Sequence, residues 1–220
     1  MIVPILYEDN HILVVNKPYN MPVQLDSSKD LDLLNFLKGY IKEKYNKPGN
    51  VYLGLVHRLD RPAGGVMVFA RTSKAASRLS EQIKKRSFIK RYMAVVCGNI
   101  GSGTMEDFIS KDPVTFSSKI EKTGDYGKKA TLEYETVGNI GELSLVNVKL
   151  HTGRHHQIRI QFASRGCPLW GDARYNSESK PGQQLALFSS EIGFVHPTTK
   201  EQLSFSTKLP STVPWNMFER

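Results

Sequence analysis

VHRLDRPAGGVMVFA, residues 56–70, joins two apolar runs through a charged turn. Val51 to Val56 and Val66 to Ala70 have the apolar, β-branched content of strands, and His57 to Gly65 carries the proline and paired glycines of a turn. The turn places one acid, Asp60, between two arginines, Arg58 and Arg61. Loops held by strands are where functional side chains concentrate. On spacing alone, the pattern reads better as an exposed Arg–Asp ion pair, which is common and contributes little.

Working outward, residues 4–7 and 11–15 read as a hairpin around Glu8, Asp9 and Asn10. Leu31 to Tyr45 reads as an amphipathic helix with Leu34, Leu37 and Ile41 at spacings of three and four. Ser73 to Ser87 reads as a second, with Ala76, Leu79 and Ile83 facing a core and Lys74, Arg78 and Lys85 facing water. Strands are expected at Tyr92 to Val96, Ala130 to Thr136, Leu143 to Leu150, 184–189 and 202–207. Residues 99–128 show little periodicity and read as irregular or hairpin-like. His155 to Arg165 fits a short helix stopped by Gly166. Strands come in runs and outnumber helices, so the expected class is α+β with a mixed, mainly antiparallel sheet flanked by helices and loops. A length of 220 residues suits one domain, 1–220.

The chain has 30 Lys and Arg against 21 Asp and Glu, a net charge of +9. The excess recurs along the chain, as a folded surface meeting a polyanion would require. It includes Lys84, Lys85 and Arg86, then Lys90 and Arg91, then Lys128 and Lys129, then Arg154 and Arg159. Two cysteines, Cys97 and Cys167, make no disulfide framework and no zinc signature. No stretch approaches the ~18 apolar residues of a membrane span, and the N-terminus lacks a leader pattern. A reducing, cytoplasmic setting is the expectation. His151, His155 and His156 lack an acid or cysteine at ligand spacing, so polar packing or contact with the polyanion is preferred to a metal. No phosphate-cradling glycine loop is present, so no nucleotide cofactor is implied.

Four blocks then carry a resemblance. They are YED with VVNKP at residues 7–9 and 14–18, HRLD with Gly65 at 57–65, RYMAV at 91–95, and TGRHHQIR at 152–159 followed by Gly171 and Asp172. In this order they resemble the RluA-type pseudouridine synthases. Pro62, Ala63 and Gly64 depart from the turn common in that family, stiffening it at Pro62 and loosening it at Gly64. Many relatives carry an N-terminal S4 RNA-binding domain; the expectation here is the catalytic domain without one.

The resemblance implies an isomerisation of uridine in ribosomal or transfer RNA that needs no cofactor and no metal. Asp60 would supply the essential carboxylate, as nucleophile at C1′ or base at C2′. Tyr92 would stack on the uracil, and Arg159 would pair with Asp60; their alternatives are an ordinary strand aromatic and a phosphate contact or surface helix charge. Arg58 would fill the stack vacated by a flipped base, and otherwise makes a turn ion pair. His57 reads as structural or RNA-contacting, and Lys84, Lys85, Arg86, Arg91 and Arg154 as contacts to phosphate. RNA is the expected partner, with no membrane, no obligatory protein partner and a monomeric chain. A non-catalytic RNA-binding module and a uracil-releasing glycosidase remain open alternatives.

Overall fold

The computed structural model describes residues 2–219. Met1 and Arg220, the ends of the expected 1–220 domain, lie outside the described residues. The chain divides into two compact units, Met1–Ile89 with Ser189–Thr207 and Lys90–Phe188 with Lys208–Arg220.

The first unit opens with the expected hairpin, β1 (Ile5–Glu8) and β2 (Ile12–Lys17). Asp9 shapes its turn, its carboxylate accepting from the His11 and Ile12 amides at 2.7 Å each. Helix α1 (Leu33–Lys44) starts where Asp32 accepts from the Asn35 amide. It buries Leu33, Leu37 and Ile41, at spacings of four, and leaves the expected Leu34 half-buried beside them. Of the strand expected over Val51 to Val56 only β3 (Gly54–Leu55) forms, against β4 (Gly64–Ala70). Helix α2 (Ser73–Lys84) is capped by the Thr72 hydroxyl.

Strand β4 is buried along its whole length and pairs antiparallel with β2. The part of β10 (Leu187–Val195) belonging to this unit pairs antiparallel with β11 (Gln202–Ser206). The core gathers Ile12, Val14, Val66, Val68, Leu79, Phe88, Ile192 and Phe194. Gly64 lies buried inside β4, so it does not loosen the turn as its composition suggested.

The second unit orders its strands β5-β9-β8-β6-β7. These are β5 (Ile89–Cys97), β6 (Ser102–Lys111), β7 (Ser118–Glu121), β8 (Lys128–Ile140) and β9 (Leu143–Leu150), paired antiparallel throughout. The segment 99–128 therefore holds a ten-residue strand and a short hairpin partner. Its periodicity is faint because β6 buries only Met105 and Ile109. Helix α3 (Gln157–Ala163) buries Ile158 and Phe162, with Phe162 edge-on to Tyr134 of β8. Gly166, at φ +73°, follows it as expected. Among the described residues, no helix is long and apolar enough to cross a membrane.

Candidate active site

In the first unit, the Asp60 turn is built from below by Lys17. This side chain is 1% exposed. Its ammonium donates to the carbonyls of Ala63 at 2.6 Å and of Arg61 and Pro18 at 3.0 Å. Two of these three acceptors lie in the turn that follows Asp60. The Ala63 amide closes the turn onto the Asp60 carbonyl at 3.0 Å. Burial, more than any charge, pushes the Lys17 amine down to about 7; the Asp60 carboxylate works against the shift and the Arg61 charge adds to it. Three carbonyl acceptors call for three N–H donors, which only the ammonium has.

The end of the motif is fixed as firmly. Gly65 has φ +114°, and a Cβ there would stand 2.3 Å from the Ser189 carbonyl oxygen, so only glycine fits. The Ser189 hydroxyl donates to the Val66 carbonyl at 3.0 Å. His57 is structural in part: its Nε2 accepts from the Val68 amide at 3.1 Å and its ring packs 5.5 Å from Phe88. Arg58 is exposed, Leu59 is buried and Asp60 is half-buried. Arg61 bonds Ser28 and Asp30. Lys84, Lys85 and Arg86 stand exposed at the end of α2, where Lys85 pairs with Glu81 at 2.8 Å.

In the second unit, Tyr92 lies within β5, opposite Val148 of β9, and is 6% exposed. Arg91 precedes it and projects from the other face of the strand, because strand side chains alternate. The TGRHHQIR block leads from β9 into α3. Gln157 locks it: its carbonyl oxygen accepts from the Thr152 hydroxyl at 2.7 Å and the Arg154 amide at 3.0 Å. Thr152 in turn accepts from the Thr131 amide of β8.

The three histidines take separate partners, Glu133 for His151, Ser118 for His155 and Tyr175 for His156. Arg159 is 5% exposed, which removes the surface-charge reading. Asp172 grips it in a fork, accepting from Nε at 2.8 Å and from a terminal nitrogen at 2.7 Å. The guanidinium also lies 5.2 Å from the Tyr175 ring centre. Asp172 accepts from the Arg174 and Tyr175 amides as well, so one carboxylate holds both Arg159 and the backbone that carries the Tyr175 ring. Sequence reading noted Asp172 only as part of a motif and passed over Tyr175 and the clamp of Lys17. The signal for Lys17 was its place in the NKP block; thirteen residues separate Arg159 from Asp172, and no local pattern links them.

The family model for RNA pseudouridylate synthase matches residues 11–164. The ribosomal large subunit pseudouridine synthase D of Zymomonas mobilis is 32% identical over 218 residues, covering 94% of this chain and 69% of that protein. An RNA pseudouridine synthase of Aquifex aeolicus, described as uncharacterized, is 36% identical over 222 residues, covering 94% and 70%. In fold, the human RNA pseudouridylate synthase domain containing 4 superposes with a TM-score of 0.78 over 94% of this chain and 88% of that one, at 23% identity. The match over most of its length, in a mainly antiparallel α+β fold, makes this chain a member of the RNA pseudouridylate synthase family, enzymes that isomerise uridine in RNA to pseudouridine.

Proposed function

We propose that this chain isomerises specific uridines of ribosomal or transfer RNA with Asp60 as the obligatory carboxylate. The reaction breaks the N1–C1′ bond, turns the uracil, forms C5–C1′ and moves the C5 proton away, leaving N1 protonated. Asp60 attacks C1′ or removes the C2′ proton; both routes need a carboxylate held in place. The observation that carries this reading is the hold on the Asp60 turn, with Lys17 bonded to two of its carbonyls and Gly65 fixed against Ser189. Tyr92 stacks on the uracil, Arg159 orients Asp60, and Arg58 occupies the stack after the base is flipped out. His57 supports the turn, while Arg91, Arg154, Lys84, Lys85 and Arg86 meet phosphate. The chain works as one catalytic domain, as a cytoplasmic monomer with RNA as its partner. The relative named for the ribosomal large subunit makes ribosomal RNA the first substrate to test.

The test is Asp60→Asn. The swap is nearly isosteric and removes the charge. Assayed on RNA from cells lacking the enzyme, wild type should form pseudouridine, and the variant should form none while keeping its melting temperature and most RNA affinity. Turnover by the pure variant would remove Asp60 from its role. Free uracil as the wild-type product would favour a glycosidase instead.

A further inference from the structure

The geometry points to a phosphate-binding notch made by Lys90 and Arg154, which takes a phosphodiester of the RNA strand beside the nucleotide stacked on Tyr92. Lys90 is the second residue of β5 and is half-buried. Its ammonium nitrogen lies 3.5 Å from where a Cβ on Gly153 would stand, against the backbone of the TGR loop. A glycine there leaves the backbone bare beside the cation. Among the described residues no carboxylate and no hydrogen-bond acceptor engages this ammonium. The charge it does feel is that of Arg154. Burial first, and Arg154 second, push the Lys90 amine below its usual value.

Arg154 is anchored rather than loose. Its backbone amide donates to Gln157, and its Nε donates to the Lys129 carbonyl at 2.9 Å. Those two bonds fix the guanidinium plane and use one of its five donors. Two cations are thus held close together, partly out of water and without a counter-charge among the described residues. Like charges so placed repel, and an anion relieves the repulsion. Phosphate fits both, as a point-charge partner for Lys90 and an acceptor matched to the planar donor set of Arg154. The position selects which phosphate. Lys90 and Tyr92 stand two residues apart on one face of β5, about 7 Å along the strand. That is within the span of one nucleotide, so the phosphate held here belongs to the nucleotide whose base meets Tyr92 or to its neighbour.

This inference rests on the chain's acting on RNA with Tyr92 at the base, but its test is binding alone. Affinity for a uridine decamer is measured over a range of salt for wild type, Lys90→Met, Arg154→Met and the double variant. The notch neutralises one phosphate, so removing both cations should reduce the log–log salt slope by ~0.7, and neither single variant should lose more than that. Lys90→Arg and Arg154→Lys, which keep the charge, should keep the slope. A decamer with a neutral methylphosphonate backbone should bind the wild type and the double variant equally. In the wild type, NMR titration of the lysine ε-carbons should show the Lys90 value rising when the charged decamer is added, a readout that needs no variant to fold. An unchanged slope in a folded double variant, or a Lys90 titration that ignores the decamer, overturns the notch. If the slope falls as expected while no pseudouridine is ever formed, the notch stands and the catalytic reading fails.

Discussion

Lys17 and Lys90 are both lysines drawn out of water, and they differ in what meets the charge. The Lys17 ammonium is fully enclosed, with three backbone carbonyls of its own chain around it. Lys90 is half-buried beside a second cation, with no acceptor among the described residues. A buried polar group normally finds partners within the fold, because leaving one unmade costs a few kcal/mol. The first lysine obeys that rule and reads as scaffold for the Asp60 turn. The second departs from it, and a departure that persists beside Arg154 reads as a place for an outside anion.

The largest effect is expected from breaking the satisfied lysine. Lys17→Met removes the donors to three carbonyls while keeping the stem. Losing the desolvated charge is favourable, but three acceptors are left unmet at ~1–3 kcal/mol each. The net loss should be about 3 kcal/mol in urea unfolding, with turnover lost beyond what unfolding explains because the turn carrying Asp60 is released. Lys17 also gives a pH signature. Its folded value is about 7 against an ordinary 10.5. Between those two values the unfolded chain holds a proton that the folded chain has released, so this group makes stability rise with pH. Below about pH 7 both states are protonated and the contribution is flat. The stability gap between wild type and Lys17→Met should therefore widen from about pH 7 to about pH 9. A gap that stays constant would mean that the three carbonyls hold the proton on Lys17 throughout.

Next in size is a cation that is both buried and paired by a carboxylate. Arg159 and Asp172 are 7% and 0% exposed at their side chains. Asp172→Asn puts an uncharged amide against the guanidinium and against the two backbone amides that Asp172 serves. Breaking a buried pair from one side costs roughly 3–5 kcal/mol, though the near-isosteric amide should keep the loss near the low end. If Asp172 orients Arg159 for the reaction, single-turnover rate should fall at least tenfold under conditions where the variant is fully folded. Arg159→Lys should recover little of it, because a lysine cannot fill the fork. A folded Asp172→Asn protein with the wild-type rate would leave the pair a purely structural one.

How much of this was legible in the sequence follows from where the signal is local. The helices α1 and α2 were readable because a buried face imposes a period near 3.6, and β2, β4 and β9 because buried strands show as short apolar runs. Strand β6 was not, since a strand open to water on most positions leaves no alternation to see. The second half of β10 was missed for another reason. Ser190, Glu191 and Gly193 interrupt its apolar run, yet Ile192 and Phe194 enter the core two residues apart, and Gly193 leaves room for Ile89. Asp60, Tyr92 and Arg159 were proposed as site residues from motif order. Their supports were not, because Lys17 with Ala63 and Arg159 with Asp172 are pairings over distance. Lys90 was counted with Arg91 as one basic stretch, although strand alternation sends the two to opposite faces.

The smallest effect should come from cations that are simply exposed, and it sharpens the contrast between Lys17 and Lys90 from the other side. Lys84, Lys85 and Arg86 are open to water, and Lys85 already has Glu81 at 2.8 Å across one helical turn. Such pairs are worth a few tenths of a kcal/mol, so neutralising all three should leave the melting temperature almost unchanged. If this stretch meets RNA, the log–log salt slope should flatten by less than the ~2.1 of three phosphates, because Glu81 has partly compensated one charge beforehand. Arg58 is also exposed and should behave differently. Its proposed work begins after docking, in the gap left by the flipped uridine. Arg58→Ala should therefore keep the salt slope and slow single turnover, with part of the rate restored on an RNA whose target uridine is already unpaired. The two variants are compared on structured and unstructured RNA at several salt concentrations. Should Arg58→Ala flatten the slope while the triple variant leaves it untouched, the docking charge lies in the HRLD turn. The flipping role of Arg58 would then be wrong, and the basic end of α2 would be a solvated helix end.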